Sequence, residues 1–334
     1  MNTGNLVIRK SRRGLLAVLG SLLGSLLLSS VVHAQGAPAA LAELRVGYQK
    51  GTINLTVLKE RGLLEQRLKG TKINWIEFSA GPQLLEALAV GSIDFGATGD
   101  SPPVFAQAAG KNLVYVGQEV SKPDTSAVLV PADSPIRALE ELKGKKIAVQ
   151  KGSSAHFLTV QALKRAKLAW TDIQPVYLAP ADARAAFERG SVDAWVVWDP
   201  YYAAVEEGGK ARVLATSRGL SNNNTFYLAS SGFAARNGGV LIDIFEELSQ
   251  AERYVQQSRA EAVQLLTKAF GLEQKVVERV LARRPLGAVR PITAEVLADQ
   301  QQVADTFFQL GLIPAAVKVA DIAWKPAAND LARR

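Results

Sequence analysis

The chain has 334 residues, 48% of them apolar and 21% charged, enough for one large or two ordinary domains with no covalent staple. It contains no cysteine, which excludes a disulfide framework, a thiolate metal site, a cysteine nucleophile and a lipid-anchored N-terminal cysteine. The first 34 residues hold four of the 39 Lys and Arg and none of the 31 Asp and Glu, so the remainder carries +4, a balance that suits an anionic ligand and not nucleic acid.

That first segment reads as an export signal. Arg9, Lys10, Arg12 and Arg13 form a basic start, Leu15 to Leu28 is almost unbroken Leu, Gly, Ala, Val and Ser, and Val32-His33-Ala34 offers a small-x-small cleavage site. The apolar run falls short of the roughly 20 residues of a membrane span. Ser11-Arg12-Arg13 also resembles a twin-arginine signal, so the general secretory and twin-arginine routes both stay open. Cleavage leaves a mature chain beginning near Gln35, with residues 35–43 expected as a flexible N-terminus.

The next strand is expected over Leu44–Tyr48, running into the turn Gln49-Lys50-Gly51. About 100 residues on, Lys146–Gln150 runs into Lys151-Gly152 in the same way. Each copy later reaches a Gly-Ser-aliphatic-Asp turn, Gly91-Ser92-Ile93-Asp94 in the first and Gly190-Ser191-Val192-Asp193 in the second. Two landmarks at one spacing indicate a duplication. Within the first copy the strands continue at Ile73–Phe78, Phe95–Thr98 and Leu113–Gly117, and within the second at Gln174–Leu178, Ala194–Trp198 and Arg212–Ala215. Pro82–Val90 and Ala181–Arg189 are apolar at helical spacing. Alternating strand and helix of this length predicts two α/β lobes with parallel-type sheets flanked by helices.

Ser126–Pro131 and Thr225–Ala229 read as strand-like crossings between the lobes. The tail is expected as helices over Asp243–Thr267, Leu272–Arg284 and Thr293–Leu310, returning to the first lobe. Lobe 1 is therefore expected over 44–126 and 227–330, and lobe 2 over 127–226.

Ligands of such sheets bind beyond the carboxyl ends of the strands, so the loops there are the candidate site. They carry neutral donors, Gln49, Ser79, Ser101, Ser153 and Ser154, and only Lys50 and Lys151 add cations, each of which reads equally as a solvated side chain. Simple helix capping explains each loop singly, but a helix N-terminus with spare amides is also an anion site. A sulfonate, with three acceptor oxygens and no proton, suits an array of neutral donors. Asp100 and Asp199 are placed to reject a second negative charge or to bind a cationic group, and Trp198, Tyr201, Phe226 and Tyr227 read equally as apolar faces for an organic tail or as core side chains. An enzyme is the rival class. Ser154 and His156 offer a nucleophile and a base, but no G-x-S-x-G elbow or third partner accompanies them. No spacing of metal ligands or phosphate loop occurs, so neither a metal nor a cofactor is expected.

The motifs Val46-Gly-Tyr-Gln-Lys-Gly51, Phe78-Ser-Ala-Gly-Pro-Gln83, Thr98-Gly-Asp-Ser-Pro-Pro103, Gln150-Lys-Gly-Ser-Ser-Ala-His156 and Val192-Asp-Ala-Trp-Val-Val-Trp-Asp-Pro-Tyr-Tyr202 resemble those of the aliphatic sulfonate-binding proteins of ABC importers. The resemblance runs from about Leu44 to Trp324, and related taurine and nitrate binders share some of the motifs. It implies a bilobed, transferrin-like periplasmic-binding-protein fold of type II, with an interlobe cleft that closes by hinge motion. It also implies a periplasmic monomer that takes an alkanesulfonate for sulfur acquisition and docks on an inner-membrane permease with a cytoplasmic ATPase. Carried onto this chain, the ligand contacts are Gln49, Gly81, Pro82, Gly99, Asp100, Ser153, Ser154, His156, Trp198 and Asp199, with Phe226 nearby.

Overall fold

The structure, a computed structural model, describes residues 41–285 and 289–331. The expected export signal and the start of the mature chain up to residue 40 lie outside the described residues.

In chain order the first copy gives β1 (Glu43–Tyr48), α1 (Ile53–Glu60), α2 (Leu63–Arg67), β2 (Lys72–Glu77), α3 (Gly81–Ala89), β3 (Phe95–Gly99), α4 (Ser101–Ala108) and β4 (Leu113–Glu119). The crossing strand β5 (Ser126–Pro131) leads into β6 (Lys146–Val149), α5 (Ser154–Arg165), β7 (Gln174–Tyr177), α6 (Pro180–Glu188), β8 (Ala194–Trp198), α7 (Tyr201–Glu207) and β9 (Ala211–Thr216). The return strand β10 (Thr225–Ser230) is followed by α8 (Ser231–Arg236), α9 (Gly238–Gln257), α10 (Arg259–Phe270), α11 (Gln274–Arg283), α12 (Ala294–Gln309) and α13 (Ala328–Leu331).

Two five-stranded sheets result, ordered β2-β1-β3-β10-β4 and β7-β6-β8-β5-β9. The duplication is therefore exact in strand order, down to the fourth place, which each sheet fills with a strand crossing from the other lobe. Both sheets are mixed rather than parallel throughout: β10 runs antiparallel to β3 and β4, and β5 antiparallel to β8 and β9. The cause is where these strands enter. Ser126 pairs with Trp198 at the end of β8, and Thr225 with Gly99 at the end of β3, so each crossing strand starts where its neighbours finish and runs the other way.

The repeated Gly-Ser-aliphatic-Asp turns prove to be sheet fasteners. Asp94 accepts from the backbone amide of Arg45 at 2.9 Å, and Asp193 from that of Lys146 at 2.7 Å, while the amides of both aspartates bond back to the same residues. Each turn ties the start of the third strand, β3 or β8, to the first strand of its copy. Arg45 adds an ion pair to Asp94 at 2.7 Å.

The tail returns to lobe 1, as its apolar stripes require. Leu241, Ile244 and Leu248 of α9 are fully buried with Ile53, Leu55 and Leu58 of α1. Each such side chain contributes roughly 1.5–3 kcal/mol, so the tail is held as core and not as an appendage. On the other face of the sheet, Phe307 of α12 packs edge-on against Phe105 of α4, with centroids 4.9 Å apart. The expected single helix over Asp243–Thr267 is two, broken at Ser258, whose backbone leaves helical geometry and allows α10 to turn onto α1. At the other end, the described part of the expected flexible N-terminus is pinned: Leu41 packs on the core, its carbonyl accepting from Thr71, and Glu43 already belongs to β1.

Candidate functional site

Between the carboxyl ends of the two sheets lies a cavity walled from both lobes. Gln49, Gly81 and Gly99 line it from the first sheet, Ser153, Ser154, Trp198 and Asp199 from the second. Helices α1, α3 and α5 all begin at this cavity, through Ile53, Gly81 and Ser154. The opening amides of a helix have no acceptor within it and sit at the positive end of its dipole. None of the three is capped by a side chain. Ser153 occupies the capping position of α5, yet its hydroxyl donates backward to the Gln150 carbonyl at 2.7 Å. Thr52, ahead of α1, likewise donates to the Gln49 carbonyl at 2.6 Å. Side-chain capping thus does not account for these loops, and the helices open uncapped at the cavity.

Glycines stand where the wall closes most tightly. A Cβ on Gly81 would overlap Thr98 Oγ1, and one on Gly99 would overlap Ser154 Oγ across the lobes.

Four of the expected contacts lie outside this wall. Phe226 alternates inward along β10 and stacks edge-on against Tyr115, with centroids 5.0 Å apart in the core. Pro82, one residue into α3, turns away from the cavity that Gly81 meets. His156 lies on the far side of α5 from the cavity, fully buried among Phe105, Trp170 and Phe307. Its Nδ1 accepts from the Gly152 amide, and burial, with Lys151 adding to it, lowers its pKa to about 4, so it stands neutral and makes no bond to Ser154. Asp100 sits behind the wall, accepting from Ser101 at 2.9 Å and from Ser221 and Ser154. Burial raises its pKa against those hydrogen bonds. Lys50 and Lys151 are also elsewhere: Lys50 donates to the Phe270 carbonyl and Lys151 lies over the Tyr177 ring.

The cations on the wall are Lys122 and Arg284. Lys122 belongs to the outgoing crossing and Arg284 follows α11 in the tail, so only the fold brings them together. Lys122 Nζ donates to Glu119 at 2.9 Å and to Thr225 Oγ1. Arg284 lies 3.2 Å from Glu119 and 3.4 Å from Glu252. Tyr227 and Asn54 also donate to Glu119. Burial alone would raise the Glu119 pKa, but Arg284 and Lys122 overturn it and hold the carboxyl well below its usual range. Nearby, Asn223 adopts a left-handed backbone (φ 48°), which its short polar side chain tolerates. Its amide donates to the Lys122 carbonyl, Thr125 and Ser126, stitching the two crossings together beside the cavity. Pro123 and the run Ser221-Asn222-Asn223-Asn224 mark the two crossings along the chain, whereas Arg284 has no local signal at all.

The lobes also meet through ion pairs at the rim. Arg283 of α11 reaches Asp199 at 3.2 Å and Glu206, and lies 3.6 Å over the Tyr202 ring, while Arg279 pairs with Glu207 at 2.6 Å. Burial raises the Asp199 pKa to about 7, outweighing Arg283 and the Ala203 amide. A carboxyl raised above its unfolded value stabilises the fold below that value, and the contribution is lost as pH rises through the folded one. Stability of the wild type should therefore fall between about pH 4 and 7 through this group, and Asp199→Asn should flatten that part of the profile. Urea midpoints across the range check it; an unchanged slope in the variant removes Asp199 as the titrating group.

Among the described residues no group of His, Asp and Glu is placed to hold a metal, and no helix is long and apolar enough to cross a membrane.

Residues 63–245 match the family described as ABC transporter, phosphonate, periplasmic substrate-binding protein. A curated relative from Escherichia coli (strain K12), named an aliphatic sulfonates-binding protein, is 48% identical over 300 residues, covering 90% of this chain and 94% of its own. The solved alkanesulfonate-binding protein SsuA from Xanthomonas axonopodis pv. citri, bound to MOPS, superposes with a TM-score of 0.84 at 48% identity, over 86% of this chain and 99% of that one. A taurine-binding periplasmic protein of Escherichia coli (strain K12) is 30% identical over 49% of this chain and 54% of its own. These relatives are binding proteins and not enzymes, in keeping with a fold whose one described histidine sits away from the serines of the cavity. With the two mixed sheets, the crossings and the cavity at their meeting edges, the matches establish that the chain belongs to the periplasmic substrate-binding proteins of ABC transporters, among the aliphatic sulfonate-binding members.

Proposed function

We propose that this protein captures an aliphatic sulfonate in the interlobe cavity and delivers it, as a monomer, to an inner-membrane permease driven by a cytoplasmic ATPase, for sulfur acquisition. Residues 1–34 serve as the cleaved export signal, and lobes spanning 44–126 with 227–330, and 127–226, close about a hinge. The observation that carries the reading is the set of uncapped N-termini of α1, α3 and α5 around one cavity, beside two cations that are already matched by carboxylates. Such a site offers many neutral donors and little free positive charge, which fits the single, delocalised charge of a sulfonate. Ile53, Trp198 and Val280 supply apolar wall for the tail. Closure excludes water and strengthens every hydrogen bond to the head group.

The test is thermal unfolding of the processed protein with alkanesulfonates of increasing length, taurine, nitrate, sulfate and phosphate. A ligand at 100 times its Kd stabilises by about 2.7 kcal/mol. An upward shift in Tm with alkanesulfonates above the other anions is the expected result, and no shift with any alkanesulfonate refutes it. Taurine is the second reading, favoured by Asp199 on the wall with one carboxylate oxygen unpartnered among the described residues. A shift confined to taurine would assign its ammonium to that carboxylate.

A further inference from the structure

The two cations of the wall do not act as free charges. Lys122 and Arg284 share Glu119, whose oxygens lie 2.9 and 3.2 Å from them, and Arg284 has Glu252 as a further partner. The four side chains are at most 12% exposed, so solvent screens their mutual attraction little. Two positive and two negative groups leave the cluster neutral overall. The other charged residue of the wall, Asp199, is matched by Arg283. A bound anion therefore draws its stabilisation chiefly from the uncapped helix amides, which suit one dispersed charge. A second charge on the ligand would meet no uncompensated cation, only the field of Glu119 and Glu252 behind Lys122 and Arg284.

Resting on the sulfonate reading and deepening it, we propose that Glu119 sets the valence of the ligand: by neutralising Lys122 and Arg284 it makes the site select a tetrahedral monoanion, a sulfonate, over a dianion such as sulfate or a fully ionised phosphonate. Glu119 does this without lining the cavity, so it is a positioning residue for charge and not a ligand contact. Tyr227 and Asn54 hold the same carboxylate oxygen, which the amide oxygen of a glutamine can replace.

Three probes share a tetrahedral sulfur and differ in charge: dimethyl sulfone (neutral), methanesulfonate (one negative charge) and sulfate (two). Calorimetric Kd values for the processed protein at neutral pH should place methanesulfonate ahead of both others. In Glu119→Gln the cluster gains one net positive charge, and the preference for methanesulfonate over sulfate should shrink about tenfold. Glu252→Gln, farther from the cavity, should move the ratio in the same direction by about threefold, and it decides the matter if Glu119→Gln does not fold. A structural role alone would change both affinities by one factor, and a ratio unmoved in the folded variants overturns the proposal while leaving the sulfonate reading intact. A wild type that binds sulfate as tightly as methanesulfonate overturns both.

Discussion

Arg284→Met is expected to lower the unfolding free energy by about 3–5 kcal/mol, the usual effect of removing one partner from a buried ion pair. Arg284 is the shared counter-ion of Glu119 and Glu252, both almost fully buried, and methionine fills its volume without its charge. For a chain of this size the loss corresponds to a Tm lower by roughly 5–8 °C. The sign of its pH dependence follows from the same geometry. In the wild type the Glu119 pKa is depressed, so its stabilisation is present above the ordinary carboxylate range and is lost only as pH falls through the folded value. Without Arg284, Glu119 loses the stronger of the two cations that oppose its burial and its pKa rises, so acid relieves part of the defect. The Tm gap between variant and wild type should therefore narrow as pH is lowered toward 5, and Arg284→Met combined with Glu119→Gln should recover part of the loss. A gap that widens in acid would show that the guanidinium contributes packing and not charge.

The second large effect falls on binding with stability spared. Gly99 ends β3 in the first lobe, and a Cβ there would overlap Ser154 Oγ at the start of α5 in the second. Gly99 has ordinary extended backbone, so alanine brings no conformational strain to lobe 1 itself. In the proposed hinge motion the overlap arises only on closure. Overpacking of this kind costs about 1–3 kcal/mol, so Gly99→Ala should weaken ligand affinity by roughly 10- to 100-fold. The Tm without ligand should move little, and Ser154→Gly in the same chain should restore part of the affinity by clearing the overlap. Calorimetry on both variants checks this, and an unchanged Kd in Gly99→Ala would mean that closure does not bring these residues into contact.

How far the sequence revealed all this depended on whether the signal was local. Strand positions were readable because β3, β5, β8 and β10 are almost continuously buried and hence continuously apolar. The duplication was readable because Asp94 and Asp193 must each reach the amide of the first strand in their copy, which fixes the turn before them. Gln49, Gly81, Gly99, Ser153, Ser154, Trp198 and Asp199 surround the cavity as their loop positions implied. His156 and Phe226 did not, because a motif gives spacing along the chain but not the face of the helix or strand on which a side chain emerges. The cations of the wall were out of reach of the sequence for a related reason. Lys50 and Lys151 lie in the binding loops by sequence, whereas Arg284 reaches the wall only after α9, α10 and α11 have folded back over lobe 1. The antiparallel crossings escaped notice because strand direction is set by where the chain enters a sheet.

The exchange of crossing strands also dictates an order of assembly. All five strands of the second sheet, β5 to β9, are contiguous in the chain and can pair as soon as they emerge. The first sheet has to wait, since β10 sits between β3 and β4 and is made only after the whole of the second lobe. Until then β4 has no neighbour on its inner edge and α1 lacks the cover of α9. Contacts this distant in sequence form slowly. The N-terminal sheet of a growing chain thus stays incomplete until the second lobe and β10 have both been made.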